Sequence, residues 1–375
     1  MRGRIFLAGV YALAGGMVMS AVTWAQQPPK PAVPPQGGLR GLADTTGFAS
    51  TAKQMDAVAP ACREMEKARL AALDRSLGAR PDEAWAAAVC PHDDYVYAGP
   101  AYADALRHIR AGTVILFGVC HRAKAFGLKD KLVFDTFKQW RGPYGPVAVS
   151  PVREDLIRLL PAADVAVNDE VQQVEWSVEG IVPWLQYGNR EVTIVPILVP
   201  YMGWARTDLL SRDLAAALSK ILAARHLRLG EDVALVMSSD ATHYGDQWDD
   251  WAYEPFGSTV EGYVKAQAQD ECLARWYLEG PLAASKMQRL AETLVDQEDL
   301  TRYKVTWCGR FSVPLGLATL ARLGEALERP PFQGVITGYS TSIGNGFLPF
   351  DKVGLGATAH ENLHHWVSYV AAGYR

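Results

Sequence analysis

Residues 85–99 read Trp-Ala-Ala-Ala-Val-Cys-Pro-His-Asp-Asp-Tyr-Val-Tyr-Ala-Gly, and this stretch decides the fold prediction. Its first part, Ala86–Cys90, is a short and continuous apolar run, which is typical of a strand buried on both faces. A polar signature follows at once, with His92 and two aspartates. In open α/β sheets, ligands bind beyond the carboxyl ends of the strands. The stretch therefore predicts a buried strand that leads directly into a functional site.

The same apolar pattern recurs along the chain. The runs that resemble buried strands are Ala86–Cys90, Val114–Val119, Val192–Val199, Val233–Met237, Phe332–Gly338 and Ser368–Ala372. Helical periodicity covers residues 51–77, and further helix-like stretches are Pro100–Arg110, Glu154–Leu160, Leu209–Ala224 and Ser258–Trp276. Strands that alternate with helices predict an α/β fold, here three layers (α/β/α) with a mostly parallel central sheet.

The 375 residues, 49% of them hydrophobic, predict one large folded domain over residues 48–375. Arg2 and Arg4 precede an uncharged run, Ile5–Val22, and small residues follow it. This order predicts a signal peptide over residues 1–25, and hence export to the periplasm. An uncleaved membrane anchor is the alternative, and it would be the only contact with a membrane. Residues 26–47 are rich in Pro and Gly and predict a linker without packed structure.

Composition excludes several classes of function. The formal net charge of −4 is unlike that of a protein that binds nucleic acid through its phosphates. No Gly-rich phosphate loop follows a strand, and no Gly-x-Ser-x-Gly motif is present, which weighs against a nucleotide cofactor and a serine hydrolase. The five cysteines form no CxxC pair, and their odd number leaves at least one thiol free. A small molecule is the expected partner.

Histidines and a carboxylate follow three of the predicted strands. His92 follows the first, His121 follows Val114–Val119, and Asp240 and His243 follow Val233–Met237. Because the strand ends share one edge of the sheet, these side chains are expected to meet there. Imidazoles together with a carboxylate suit a divalent first-row metal, so His92, His121 and His243 are the predicted ligands. A helix cap is the alternative role for Asp240.

The motifs resemble those of the Memo family, which includes the bacterial and archaeal proteins called AmmeMemoRadiSam system protein B. Four segments carry the resemblance: residues 91–99 (PHDDYVYAG), 118–121 (GVCH), 175–185 (EWSVEGIVPWL) and 238–245 (SSDATHYG). Cys308-Gly309-Arg310 and residues 368–373 (SYVAAG) are similar to the CGR and SYAAG segments near the end of family members. The family in turn resembles the class III extradiol dioxygenases, which open catechol rings with non-haem Fe(II).

The resemblance implies a mononuclear metal site with His92 and His121 as its first two ligands. Fe(II) is the implied ion, with zinc, manganese and copper as alternatives, and the implied substrate is a small aromatic such as a phenol or catechol. The chain departs from the pattern at three places. Thr242 stands where a carboxylate or cysteine ligand is usual, and Trp176 stands where the acid–base histidine is usual. Asp93 and Asp94 replace the usual Ala-Gly after His92 and add carboxylates near the site.

Catalytic roles follow from the same comparison. Asp94 is expected to act as a substitute base, and Tyr97 and Glu175 to orient the substrate. Asp240 is expected either to complete the set of metal ligands or, in a hydrolase, to serve as the base. Two other hypotheses remain open. One is a periplasmic protein that binds a metal or another ligand without turnover, and the other is a metal-assisted hydrolase.

Overall fold

A computed structural model describes residues 30–80, 82–247 and 252–375. The predicted signal peptide, residues 1–25, lies outside the described residues. Within the described ranges, no helix is both long and apolar enough to cross a membrane.

Strands and helices alternate along most of the chain. The strands are β1 Leu39–Arg40, β2 Ala87–Cys90, β3 Thr113–Val119, β4 Leu132–Phe134, β5 Gln139–Gly142, β6 Gly145–Ala148, β7 Val165–Val167, β8 Thr193–Val199, β9 Val233–Ser238, β10 His243–Tyr244, β11 Gly280–Pro281, β12 Gln333–Thr341 and β13 Trp366–Tyr374. The helices are α1 Ala52–Leu77, α2 Tyr95–Leu106, α3 Val152–Leu159, α4 Asp169–Val174, α5 Ile181–Gly188, α6 Trp204–Arg225, α7 Val260–Leu278, α8 Ala284–Leu294, α9 Ser312–Ala326 and α10 Ser342–Asn345.

One large sheet forms the middle layer. Among the described residues its strand order is β11-β12-β13-β2-β9-β3-β8-β4-β7, with β10 added beside β13. The four central strands, β2, β9, β3 and β8, are parallel, whereas β11, β12 and β13 pair antiparallel and β4 runs antiparallel to β8. The predicted α/β fold is confirmed, and its parallel pairing holds at the centre of a sheet that is mixed as a whole.

Both faces of the sheet are covered. In β3, Ile115 and Phe117 pack into one hydrophobic cluster, while Val114 and Leu116 pack into the other. Successive side chains of a strand point to opposite faces, so both faces of this strand are buried. Double burial explains why the central strands read as continuous apolar runs.

Helix α2 starts at Tyr95, earlier than predicted, so that Pro100 lies inside the helix and not at its beginning. A proline has no N–H to donate to the carbonyl four residues before it. Here the carbonyl of Val96 accepts a hydrogen bond from the N–H of Leu348 instead, at 2.8 Å. A tertiary contact thus compensates for the bond that the proline removes.

The segment before α1 is packed against the domain. β1 pairs with β5 in a small three-stranded sheet, and the Arg40 side chain is completely buried. Its guanidinium forms an ion pair with Glu179, donates to the carbonyl of Gln172 at 2.9 Å and lies over the ring of Trp140. The predicted absence of packed structure is therefore wrong for residues 30–47, because a buried ion pair fixes a segment whose composition is that of a linker.

Candidate metal centre

A cavity of about 490 Å³ opens at the carboxyl ends of the central strands. This volume suits a small-molecule ligand. Its lining consists of Asp44, Phe48, His92, Asp93, Asp94, His121, Trp176, Asp240, His243, Thr306, Cys308, Arg310, Thr358, Ala359, Glu361, His365 and Val367. The strand order brings these residues together, because β9 lies between β2 and β3 and aligns Ser238 with Cys90.

His92 is buried, and a hydrogen bond at its Nδ1 fixes the orientation of its ring. Its Nδ1 lies 2.8 Å from the Ser238 hydroxyl, which donates its own hydrogen to the carbonyl of Ser177. The hydroxyl is therefore the acceptor, and Nδ1 carries the proton. Burial, followed by the nearby His121, lowers the pKa of His92. The neutral ring consequently has a free electron pair on Nε2, as a metal ligand requires.

His121 is fixed in the same manner by a charged partner. Its Nδ1 donates to Glu175 Oε1 at 2.8 Å, and its backbone N–H donates to Oε2 of the same carboxylate at 2.8 Å. Burial lowers the pKa of His121, but the charge of Glu175 outweighs it and the pKa rises to about 10. The His92 and His121 rings are 5.2 Å apart and nearly perpendicular.

Cys308 reaches the cavity from the loop before α9. Its backbone N–H donates to the carbonyl of Asp240 at 3.1 Å, and its Sγ lies 3.0 Å from His243 Nε2. The next residue, Gly309, donates its N–H to the Ser239 hydroxyl at 3.0 Å. A Cβ on Gly309 would lie 2.3 Å from that hydroxyl, so glycine permits the close approach that places the thiol.

Two groups of ligand atoms share this thiol. His92, His121 and Cys308 form one group, and Asp240, His243 and Cys308 form the other; within each group all ligand atoms lie within 4.8 Å of one another. Over the described parts of the chain, no such group contains His92, His121 and His243 together. The three predicted ligands all line the cavity. The third group close to both His92 and His121, however, is the Cys308 thiol and not His243.

Sequence reasoning did not include Cys308 among the candidate ligands. No predicted strand precedes it, so the argument from shared strand ends did not apply. The similarity of Cys308-Gly309-Arg310 to the family's CGR segment was the signal that could have identified it. Thr242 is buried elsewhere, where its hydroxyl donates to Asp270 Oδ1 at 2.6 Å.

Asp240 belongs to the second group and also contacts His92 of the first. Its Oδ1 accepts the backbone N–H of His92 at 2.8 Å, and its Oδ2 lies 3.2 Å from His92 Nε2 and 4.0 Å from His243 Nε2. Burial raises the pKa of Asp240 to about 7, against hydrogen bonds from the His92 and Asp93 backbones. The alternative role as a helix cap is wrong, because the short strand β10 follows this residue.

The neighbouring carboxylates Asp93 and Asp94 also line the cavity. Asp94 Oδ2 accepts hydrogen bonds from the N–H and the hydroxyl of Thr358. Asp93 Oδ2 accepts the Tyr369 hydroxyl at 2.5 Å. Burial, then repulsion from Asp93, raises the pKa of Asp94 to about 8. Asp94 is therefore placed where proton exchange near neutral pH is chemically feasible.

Glu175 and Tyr97 do not line this cavity. Glu175 is completely buried behind His121, and it also accepts the N–H of Ser177 at 2.9 Å. Tyr97 lines an adjoining cavity, which shares Glu361 with the first. Both side chains thus lie outside the lining of the cavity with the histidines, and Glu175 instead holds His121 in position.

Trp176 covers one side of the centre. Its indole stacks on the His121 ring at 4.5 Å with an interplanar angle of 8°, and the Arg122 guanidinium lies 5.7 Å from the indole on a cation–π contact. The position that resembles an acid–base histidine thus holds an apolar ring that shields His121.

Comparisons with known proteins identify the family of this chain. The family model described as Memo-like protein matches residues 60–342. A MEMO1 family protein of Caldivirga maquilingensis is 30% identical over 162 residues, 42% of this chain and 52% of that protein. A MEMO1 family protein of Thermotoga maritima is 30% identical over 165 residues, 42% of this chain and 54% of that protein.

The chain thus spans about half the length of the curated relatives it matches. An uncharacterised protein of Escherichia coli K12, known from a crystal structure, has 17% identity and a TM-score of 0.40, covering 76% of this chain and 98% of that one. Because the family model covers most of the chain, including His92, His121, Asp240 and Cys308, the chain belongs to the Memo-like protein family.

Proposed function

We propose that this protein is a metal-dependent oxidoreductase whose ion is held by His92, His121 and Cys308 and whose substrate is a small aromatic such as a phenol or catechol. One observation carries the proposal. Two imidazoles, each fixed through Nδ1 by a buried acceptor, present Nε2 beside a thiol in a cavity of small-molecule size. In a metal-binding histidine, the ring nitrogen that does not bind the metal almost always donates a hydrogen bond to an acceptor.

The residues present fit a bound cation. His92 Nε2 has a free electron pair, yet it faces Asp240 Oδ2 at 3.2 Å. Two electron-rich atoms at this distance need a proton or a cation between them or beside them. Imidazole nitrogens with a thiolate suit Fe(II), zinc and copper, whereas manganese prefers a set made of oxygens. When bound, Fe(II) would supply the one-electron chemistry that couples an aromatic substrate to O2.

The chain itself would bind the substrate and handle its proton. Trp176 and Phe48 give the cavity aromatic walls, on which a planar ring can lie. Asp94, with its pKa near 8, would exchange a proton with a phenolic hydroxyl. Metal binding without turnover is the second candidate, and Trp176 favours it, because an indole transfers no proton where a histidine would.

Export is a separate part of the proposal. It rests on the basic residues, apolar run and small residues at the beginning of the sequence. Amino-terminal sequencing of protein recovered from the periplasmic fraction should find a chain that begins near Gln26. Recovery in the cytoplasm with the first residues intact would contradict export.

Oxygen uptake tests the proposed activity. Protein loaded anaerobically with Fe(II) is expected to consume O2 with at least one member of a panel of catechols and phenols. His92→Ala and Cys308→Ser should lower both bound iron and O2 uptake by about tenfold or more, since each loses a ligand. Cys272→Ser and His226→Asn, which change exposed residues, are the matched controls and should retain both.

The outcomes separate the two candidates. Iron that depends on His92 and Cys308, combined with no O2 uptake across the panel, would establish binding without turnover. Iron content that is the same in both variants as in the unmodified protein would refute the ligand assignment itself.

A further inference from the structure

Arg310 lines the cavity of the candidate metal centre from the same loop as Cys308. Only Gly309 separates the two residues, so their Cα atoms lie within about 7 Å of each other. Of the described residues that line the cavity, Arg310 is the only arginine or lysine. Its positive charge contributes, after burial and the charge of His121, to lowering the pKa of His243 to about 3. The guanidinium thus lies close to the candidate ligands.

The loop itself holds the guanidinium in place. The central carbon of this group, Cζ, lies 3.6 Å from the centroid of the Tyr303 ring and 5.8 Å from that of Phe311. One of its nitrogens, Nη1, donates to the carbonyl of Trp307. A planar guanidinium that already stacks on a ring loses little freedom when it binds a further group. Arg310 is therefore oriented before any ligand binds.

The other two nitrogens of this guanidinium have no acceptor in the described parts of the chain. Nε is buried without a hydrogen-bond partner, and Nη2 donates to no described residue. Within the same residues, Arg310 forms no ion pair with a carboxylate. Arginines that are removed from water are normally paired with an acid or a ligand. Arg310 thus lacks the counter-charge that such a residue usually has.

The carboxylates of the cavity, in contrast, are held by donors of the chain. Each of the five accepts a hydrogen bond from a backbone N–H or a hydroxyl: Asp44 from Gly47, Asp93 from Tyr369, Asp94 from Thr358, Asp240 from His92 and Glu361 from Ser342. Negative charge on a ligand is repelled by these acids and attracted by the guanidinium. The lining therefore directs an anionic group toward Arg310.

We propose that Arg310 binds a carboxylate of the substrate, and that the substrates are hydroxylated aromatic carboxylic acids. The inference rests on the proposed function, in which the cavity takes a small aromatic. One guanidinium matches one carboxylate in charge and in planar shape. A phosphate would present further oxygens and a second negative charge, for which the described lining offers no second arginine or lysine.

The two ends of such a substrate face different groups. The ring lies on the aromatic walls, with its hydroxyl toward the histidines and Asp94 and its carboxylate toward Arg310. A neutral phenol of the same size fills the cavity but leaves Arg310 without a counter-charge. Arg310 is thus a residue that determines specificity, and its contribution is to the affinity for the substrate.

A pair of ligands that differ in charge tests the inference. Isothermal titration calorimetry compares 3,4-dihydroxybenzoate with its methyl ester, on zinc-loaded protein so that no turnover occurs. The ester keeps the ring and both hydroxyls but carries no charge. We expect the Kd of the acid to be lower by about tenfold or more, as for a hydrogen bond between charged groups.

Equal affinity for the acid and the ester would refute the role of Arg310 and leave the aromatic substrate in place. Binding of neither ligand would contradict the aromatic substrate itself, and this inference with it. Metal-free protein should show the same preference for the acid, because Arg310 and not the ion carries it. A preference confined to the zinc-loaded protein would assign the carboxylate to the ion and refute the inference.

Arg310→Met tests the residue directly, since methionine keeps an apolar side chain over Tyr303 but has no charge. The acid should bind about tenfold or more weakly, whereas the Kd of the ester should hardly change. The zinc content should stay that of the unmodified protein, which reports that the loop still places Cys308. Arg302→Met, at an exposed arginine of the same loop that pairs with Asp296 at 3.7 Å, is the matched control. A preference for the acid that persists in Arg310→Met would show that its carboxylate binds elsewhere.

Discussion

His92 and His121 are both proposed metal ligands, but their Nδ1 atoms donate to different kinds of acceptor. The Ser238 hydroxyl behind His92 is neutral, whereas the Glu175 carboxylate behind His121 is charged. The pKa of His92 is accordingly lowered by burial, while that of His121 is raised to about 10 because Glu175 outweighs burial. A charged acceptor makes an imidazole a stronger donor to a metal, so His121 is expected to bind the ion more strongly than His92.

Glu175→Gln tests this support. The amide keeps the shape of the side chain but loses the charge that holds Nδ1–H of His121. We expect the affinity for zinc, a redox-inert probe of the site, to fall about 10- to 100-fold, measured by competition with a chromogenic chelator. Glu191→Gln, at an exposed glutamate, should leave the affinity unchanged. An unaltered affinity in Glu175→Gln would mean that His121 is not a ligand.

Single residues show how far sequence reasoning reaches. His92, His121 and Asp240 could be placed together because each directly follows a strand, and parallel strands end at a common edge. Cys308 could not, because it sits in a loop whose position depends on Gly309 fitting against Ser239. That fit is a tertiary contact between residues 70 positions apart, and no local pattern encodes it.

Among the elements, the position of β9 matters most for the centre. It lies between β2 and β3, so that Asp240 and His243 reach the cavity between the two fixed histidines. The apolar runs predicted the strands themselves, but strand order depends on contacts distant in sequence. The sequence likewise did not indicate that β11, β12 and β13 pair antiparallel.

The short strand β1 connects the amino-terminal segment to the same centre. The buried Arg40 guanidinium donates to the carbonyl of Glu175 at 2.6 Å and pairs with Glu179. The proline and glycine content of this segment predicted a linker. Composition alone does not indicate that one of its arginines is buried in an ion pair. The segment instead supports the carboxylate that fixes His121.

Arg40→Met tests the contribution of this element. Removing one partner leaves the Glu179 charge buried and unpaired, so we expect a loss of about 3–5 kcal/mol in the free energy of unfolding. Urea denaturation of the metal-free protein measures it. Arg80→Met, which breaks an exposed pair with Asp82, should cause little change. Equal, small losses in the two variants would show that the segment contributes nothing to stability.

At the scale of the whole molecule, helix α7 is connected to the centre through one buried carboxylate. Asp270 on the inner face of α7 accepts hydrogen bonds from Thr242 and Trp307, at 2.6 and 2.7 Å. These two residues are the neighbours of His243 and Cys308 in the sequence. Helix α7 therefore holds the two segments that supply part of the candidate metal centre.

The central claim is that His92, His121 and Cys308 bind one metal ion. X-ray diffraction at the absorption edge of zinc, from crystals of the zinc-loaded protein, tests it most directly. We predict an anomalous peak about 2.0–2.1 Å from Nε2 of both histidines and about 2.3 Å from the Cys308 sulfur. A zinc peak bound by none of these three atoms would contradict the account.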